Sequence, residues 1–158
     1  MKRTMPQWQL VLHHDYCSES ASDLSGQGNH GNVYNCRYEM DAEDRFALSF
    51  NGRDSRVVVL PSPALDDLSA IRVSVVAKLQ NVQRRNNLVE GFLSFAFIIE
   101  ADASVQAKFY DGTRWDGIWS QPQIVNADNW HRIEFTYDGV DMIMLSMDDH
   151  ILATRQGR

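Results

Sequence analysis

Apolar and polar residues alternate along much of this chain with a period of two. In residues 132–137, every second position from Ile133 to Tyr137 is apolar, and polar residues stand between them. This alternation is typical of a β-strand with one buried face. The pair Asp138-Gly139 follows, and residues 142–147 alternate again. Because a D-G pair between two alternating runs favours a tight turn, we predict a hairpin here.

The same pattern continues upstream. Asn51-Gly52 separates the apolar residues 46–50 from residues 57–60, which predicts a second hairpin. Residues 92–99 are almost continuously apolar and predict a central strand, whereas residues 71–79 and 105–110 alternate. No segment of useful length has a helical period. Many short strands separated by turn residues predict an all-β protein, either an antiparallel sandwich or a barrel.

Composition narrows the class of protein. With 158 residues, 44% hydrophobic and 23% charged, the sequence predicts one soluble globular domain. A net charge of -6 argues against a nucleic-acid partner, which requires a basic face. No apolar run has the length of a membrane span. Lys2-Arg3 is not followed by the apolar segment of a signal peptide, so no export signal is predicted in this chain.

Two cysteines flank a glycine-rich loop. If Cys17 and Cys36 face each other, a disulfide would close a loop of about twenty residues and contribute roughly 3 kcal/mol. Two separate buried thiols are the alternative, since free cysteine is often buried. The sequence leaves both open.

Four motifs occur in a fixed order along the chain. They are Asp23-x-Ser25-Gly26-x-Gly28-Asn29-x-Gly31; Ala47-Leu48-Ser49-Phe50-Asn51-Gly52 with Arg56-Val57-Val58-Val59 and Pro63-Ala64-Leu65; Ile71-Arg72-Val73-Ser74-Val75-Val76-Ala77-Lys78; and Trp130-His131-Arg132-Ile133-Glu134-Phe135-Thr136-Tyr137-Asp138-Gly139. Through these motifs the chain resembles the laminin-G-like, concanavalin A-like lectin and glucanase jelly rolls, in particular the bacterial branch. The resemblance extends from Leu10 to about Ala153.

This resemblance implies one jelly-roll domain over residues 1–158, built as an antiparallel two-sheet sandwich, and a secreted or extracytoplasmic location. Members of the family usually continue beyond the last hairpin into further strands. Here the sequence stops at Arg158. Either the domain is truncated at its C-terminus, or its strand order is rearranged, or a sheet edge is left open for a protein partner or a second copy.

The resemblance also implies a structural calcium ion in the glycine-rich loop, because many relatives bind one in this region. Asp23 and Asn29 would supply oxygen ligands, and Asp54 would reach in from a neighbouring loop. Calcium requires six to eight such oxygens. The alternative is that Asp23 and Asn29 accept backbone hydrogen bonds in Asx turns and bind no metal.

Aromatic residues near the end of the 105–110 run suit carbohydrate. Exposed aromatic rings beside polar donors match the apolar face and hydroxyl rim of a pyranose. The alternative is that Trp115 and Trp119, four residues apart in a strand, share one buried face. We expect at least one of these two to be core, and Trp130 as well. The predicted ligand-binding residues are Tyr34, Tyr110, Arg114, Trp115 and Trp119.

Catalytic motifs are missing from the sequence. Retaining glycosidases on this fold need two carboxylates about 5 Å apart on one strand, and no such run occurs here. The sequence therefore favours a non-catalytic recognition module, with carbohydrate as the predicted ligand. The alternative is a protein-binding or structural module that uses the concave sheet or an open edge, and a glycoside hydrolase or lyase ranks below both.

Overall fold

A computed structural model describes residues 7–41, 44–66, 68–110 and 112–156. These residues form twelve β-strands and no helix, which confirms the all-β prediction. None of the described segments is a helix with the length and hydrophobicity needed to cross a membrane. The chain divides into two compact units, an N-terminal unit over Gln7–Leu68 and a C-terminal unit that begins at Ser69.

The N-terminal unit contains four short strands in two antiparallel pairs. Strand β1 pairs with β4, and β2 pairs with β3. The register places Gly31 opposite Val59 in one pair and Arg37 opposite Ser49 in the other. The strands are β1 (Gly31–Tyr34), β2 (Arg37–Met40), β3 (Phe46–Ser49) and β4 (Arg56–Val59).

The predicted hairpin at Asn51-Gly52 is wrong, because β3 and β4 belong to different sheets. The side chain of Asn51 organises this connection instead. Its Oδ1 accepts hydrogen bonds from the backbone N–H groups of Arg53, Asp54 and Ser55 at 2.9–3.3 Å. An Asx turn of this kind bends the chain without pairing the flanking strands.

The C-terminal unit is a sandwich of two four-stranded antiparallel sheets. One sheet has the order β12-β11-β10-β5, and the other has the order β6-β7-β8-β9. The strands are β5 (Ile71–Lys78), β6 (Asn86–Gly91), β7 (Phe95–Ile99), β8 (Val105–Tyr110), β9 (Trp115–Trp119), β10 (Trp130–Tyr137), β11 (Met142–Met147) and β12 (His150–Gln156).

The core of this unit lies between the two sheets. Phe135 is fully buried, and its ring packs against Phe97 and Phe109 of the facing sheet with centroids 4.9 and 5.5 Å apart. The alternation predicted from the sequence is confirmed, since Ile133, Phe135, Ile143 and Leu145 are all buried. Aromatic edge-to-face contacts add to the stabilisation that comes from apolar burial.

The predicted hairpin at Asp138-Gly139 is confirmed by the pairing of β10 with β11. The Asp138 carboxylate accepts hydrogen bonds from the N–H groups of Val140, Asp141 and Met142 at 2.9–3.0 Å. Gly139 has a φ of 82°, and a Cβ atom there would collide with the carbonyl oxygen of Ser69. Both conformation and space therefore require glycine.

The central strand predicted over residues 92–99 is confirmed only in part. Strand β7 lies between β6 and β8, and all its residues from Ala96 to Ile99 are buried. It begins at Phe95, however, because Ser94 N–H donates to Gly91 C=O at 3.1 Å and closes a turn over residues 91–94. Apolar composition alone does not distinguish this turn from the strand that follows it.

Candidate functional site

Strands β8 and β9 carry polar and aromatic residues on the face that points away from the sandwich core. Their register pairs Gln106 with Trp119, Lys108 with Gly117, and Tyr110 with Trp115. Because successive side chains alternate across a sheet, these residues lie opposite to the core-facing Ala107 and Ile118. We call Tyr110, Trp115, Trp119 and Lys108 the aromatic face.

Both tryptophans of β9 are open to solvent. Trp115 is 45% exposed and Trp119 is 63% exposed, so the expectation that at least one is core is wrong. The ring of Tyr110 packs against Trp115 with centroids 5.4 Å apart and an interplanar angle of 47°. This contact holds Trp115 in place and leaves the two indole rings on the same side of an edge strand.

Gly117 separates the two tryptophans and has no side chain to fill the space. A Cβ atom there would collide with the carbonyl oxygen of Ala107 and lie 3.2 Å from Cγ of Lys108. The stem of Lys108 therefore lies against Gly117. Among the described residues, its ammonium group has no hydrogen-bond or ion-pair partner. The face thus combines apolar rings with an available donor.

A small pocket of about 70 Å³ lies at the same end of this unit. It contains the predicted binding residues Tyr110 and Arg114 together with an ion pair that the sequence did not reveal. Arg155 of β12 donates to both carboxylate oxygens of Asp116 at 2.7 and 2.9 Å. The lining residues are Phe109, Tyr110, Arg114, Asp116, Tyr137, Asp141, Ile143 and Arg155.

The Asp116 carboxyl is held in its ionised form. The hydrogen bond from Arg155 lowers its pKa, and the N–H of Gly117, which donates at 2.8 Å, lowers it further. A carboxyl with a lowered pKa is a poor general acid at neutral pH. The volume of the pocket is also far below the several hundred Å³ of a typical ligand site. The ion pair between Asp116 and Arg155 joins β9 and β12 at this pocket.

Two other predicted aromatic positions have different surroundings. Tyr34 belongs to the N-terminal unit, is 43% exposed, and has the guanidinium of Arg56 4.7 Å above its ring. Trp130 lies on the face of β10 opposite to Ile133 and is only partly buried, so its assignment to the core is wrong. The ammonium of Lys78 lies 5.3 Å from the Trp130 ring, which is a cation–π contact.

The Asp23 carboxylate is buried and surrounded by protein donors. It accepts hydrogen bonds from the N–H groups of His13, Ser25 and Asn29, each at 2.9 Å, and from the hydroxyl of Ser25 at 2.7 Å. Burial alone would raise the pKa of this carboxyl, but the hydrogen bonds, led by those of Ser25, hold it well below its usual range.

This arrangement does not fit a calcium ion. Four donors already point at the two oxygens of Asp23, and Oδ1 of Asn29 accepts from the Ser62 hydroxyl at 2.5 Å. The carboxylate of Asp54 is bound by the side-chain amides of Asn35 and Asn51 at 2.7 and 2.8 Å. Asp23 makes the Asx-turn bond of the alternative through the N–H of Ser25, whereas Asn29 accepts the Ser62 hydroxyl instead of a backbone N–H; calcium itself stays a prediction for experiment.

Reasoning from sequence missed a buried histidine that is paired with an exposed carboxylate. Nδ1 of His131 lies 2.7 Å from Asp148, and Nε2 is buried without a partner. The period-two pattern of β10 places His131 on the core-facing side, which was the available signal. The described residues contain no cluster of three histidine, cysteine or acidic side chains that would hold a metal.

The two cysteines are free thiols, with Cys17 exposed and Cys36 half-buried. The Cys36 thiol donates to the carbonyl oxygen of Tyr34 at 3.2 Å. Burial raises the pKa of this thiol. Of the two alternatives for the cysteines, the structure therefore shows separate thiols, although Cys17 is not buried.

No protein-family profile matches the chain, and no curated protein matches it. A solved structure does: the crystal structure of the binding domain of Paraclostridial Mosquitocidal Protein 1. The two share 15% sequence identity with a TM-score of 0.73, over 94% of this chain and 40% of the other. At this identity the match shows a common all-β, sandwich-like fold.

Proposed function

We propose that this chain is a non-catalytic recognition module with a jelly-roll sandwich, and that its aromatic face binds carbohydrate. One observation carries the proposal: Trp115 and Trp119 lie exposed on the same side of β9. Burying large aromatic rings is normally favourable, so two open indoles on one strand need a reason beyond folding. A ligand that covers them supplies that reason.

The spacing of the rings favours an oligosaccharide over a single sugar. Residues four apart in a strand are separated by roughly 13 Å. One pyranose cannot contact both Trp115 and Trp119 at that distance, whereas neighbouring units of a chain can. The stem of Lys108 lies against Gly117 between the rings, and its ammonium supplies a donor to ring hydroxyls or to an acidic substituent.

The solved structure with the same fold supports a binding role, because it is the binding domain of a mosquitocidal protein. This chain spans 40% of the length of that chain. Because a shared fold does not establish a shared function, recognition is proposed for this chain and is not taken over from that structure.

A hydrolytic role is less well supported. Asp116 and Asp141 both line the small pocket, which places two carboxyls in one region. A retaining glycosidase needs one of its two carboxyls as an acid with a raised pKa. Asp116 is instead bound by Arg155, which lowers its pKa. The ion pair with Arg155 therefore favours a structural role for Asp116 over a catalytic one.

The test is a glycan array probed with the wild-type chain, with and without EDTA, followed by titration of the best oligosaccharide. We expect Trp119→Ala to weaken binding at least tenfold, which corresponds to about 1.4 kcal/mol. Trp130→Ala is the matched control, because it removes a partly buried indole from the other sheet. It should leave the affinity unchanged.

Two results would count against the proposal. If no glycan binds under either condition, the face does not recognise ordinary sugars, and the protein-binding alternative takes its place. If Trp119→Ala and Trp115→Ala bind as tightly as the wild-type chain, carbohydrate binds elsewhere. Equal binding with and without EDTA would also show that recognition does not depend on a metal.

A further inference from the structure

Three hairpin turns of the C-terminal unit lie together at one end of the sandwich. The turn between β6 and β7 contacts the end of β8, since Tyr110 N–H donates to Ser94 C=O at 2.8 Å. Arg114, from the turn between β8 and β9, and Asp141, from the turn between β10 and β11, line the same pocket. Both sheets therefore contribute to this end, which we call the loop end.

Apolar side chains project from the loop end into solvent. Phe92 is 93% exposed, Leu93 is 56% exposed, and Val140 of the turn after β10 is 67% exposed. Phe92 and Leu93 form the tip of one hairpin, and Val140 lies at the tip of another. An almost fully exposed phenylalanine contributes nothing to the core, and Leu93 next to it in the sequence is also open.

The backbone conformation at the tip of the β6–β7 turn is also unfavourable for the leucine that occupies it. Leu93 has a φ of 49°, in the left-handed region that glycine, asparagine or aspartate usually occupies in a hairpin turn. A turn selected only for folding would carry one of those residues here. The hydrophobic pair Phe92-Leu93 thus lowers solubility and adds strain, and neither effect is explained by the fold.

We propose that the loop end docks on the surface of a phospholipid bilayer, with Phe92, Leu93 and Val140 inserted at the boundary between headgroups and acyl chains. One step behind the tips, Tyr110 and Trp115 pack against each other with their rings partly exposed. Tyrosine and tryptophan prefer the headgroup level of a membrane, where one part of the ring is apolar and the other is wet. Apolar tips backed by such rings match the depth profile of a bilayer.

A bilayer fits these observations better than a protein partner does. The Phe92 side chain is almost fully exposed, so it does not lie in a groove that a protein partner could fill. The tips come from hairpins of both sheets, which suits contact with a continuous surface. With a net charge of -6, the chain gains nothing from overall attraction to anionic lipid. Binding should therefore come from apolar insertion and occur on neutral lipid.

The side chains proposed to insert, Phe92, Leu93 and Val140, are not part of the aromatic face, although Tyr110 and Trp115 behind them belong to it. The experiment uses vesicles without glycolipid, so its outcome and that of the glycan array are separate. The full chain is incubated with phosphatidylcholine vesicles, with or without phosphatidylserine, and binding is measured by flotation.

We expect the wild-type chain to float with both vesicle types. The double variant Phe92→Ser/Leu93→Asn should bind at least tenfold more weakly, since it removes two inserting side chains. The matched control is Ile151→Ser, which removes a 64% exposed side chain from the start of β12, at the opposite end of its sheet. That variant should bind like the wild-type chain.

A second measurement places the side chain in the membrane. Phe92→Trp should show a blue-shifted fluorescence increment on adding vesicles, and lipids brominated on their acyl chains should quench it. The proposal is overturned if the wild-type chain does not float with either vesicle, if the double variant binds as well as the wild-type chain, or if binding requires phosphatidylserine and is unaffected by these substitutions.

Discussion

Arg155 of β12 and Asp116 of β9 form a bidentate ion pair that joins the two sheets of the sandwich. The guanidinium donates to both carboxylate oxygens, and Nη1 also donates to the carbonyl oxygen of Gly117 at 2.7 Å. A planar guanidinium matches this set of three acceptors, whereas an ammonium group does not. Two members of the aromatic face, Trp115 and Trp119, lie on β9, the strand that this contact holds.

Replacing Arg155 by lysine should therefore destabilise the protein although the charge is kept. We expect a loss of about 1 kcal/mol, because both side chains are partly exposed and screened. Thermal unfolding would measure it, and a double-mutant cycle with Asp116→Asn would give the coupling between the two residues.

Arg132→Lys provides the matched control for this prediction. Arg132 pairs with Asp149, whose side chain is 82% exposed, so the same substitution should have little effect there. Equal losses for the two variants would mean that the geometry at Asp116 adds nothing to a simple charge pair.

The Asp23 network predicts that stability falls in acid. Hydrogen bonds hold the folded-state pKa of Asp23 well below the value of about 3.9 for an unfolded chain. A lowered pKa contributes stability that is complete above the unfolded value and is lost as the pH falls toward the folded one. We expect the unfolding free energy to decline below about pH 4.

Asp23→Asn is the test of that cause. Its amide would place N–H groups against the donors of His13, Ser25 and Asn29. We therefore expect the unfolding free energy to fall by roughly 2–3 kcal/mol at neutral pH. The remaining stability should depend less on pH between 2 and 5 than that of the wild-type chain. An unchanged slope in Asp23→Asn would assign the acid sensitivity to other groups.

Strand positions in the C-terminal unit followed from the sequence because their pattern is local. Ile133 and Phe135 alternate with polar neighbours, and Asp138-Gly139 fixes the turn by its own hydrogen bonds. Such signals depend only on residues close in the chain. Pairing is different, because the Asn51-Gly52 connection has a good local turn signal and still joins strands of separate sheets.

Parts of the site could not be predicted from the sequence, because they too depend on residues that are far apart in the chain. Trp115 and Trp119 were correctly placed on one face, but a period of two does not say which face is open. The partner of Asp116 is 39 residues away in the chain, so the ion pair with Arg155 leaves no local pattern. Phe92 and Leu93 are apolar like the strand that follows, and only the backbone shows that they lie in a turn.

Calcium should not change the melting temperature. The oxygens of Asp23 and Asn29 that a metal would need accept hydrogen bonds from the protein itself. An ion that binds only the folded state raises the free energy of unfolding by RT ln(1 + [L]/Kd), so calorimetry in EDTA and in excess calcium distinguishes the cases. Coincident melting curves are expected. A rise in the melting temperature with calcium, abolished in Asp23→Asn, would restore the family-based prediction.

Leu93→Gly should raise the stability of the folded protein. Its left-handed conformation, with a φ of 49°, costs a residue with a Cβ atom about 1 kcal/mol relative to glycine, and the exposed side chain offsets little of this cost by packing. The greater freedom of glycine in the unfolded chain reduces the net gain in unfolding free energy, so we expect about 0.5 kcal/mol.

Leu93→Ala keeps the Cβ atom and serves as the control, which should show no such gain. Urea unfolding of the three proteins would measure the difference, and a loss of stability in Leu93→Gly would mean that the leucine packs in the fold. A gain in stability together with weaker vesicle binding is the combination expected if this turn is shaped for a membrane and not for the core.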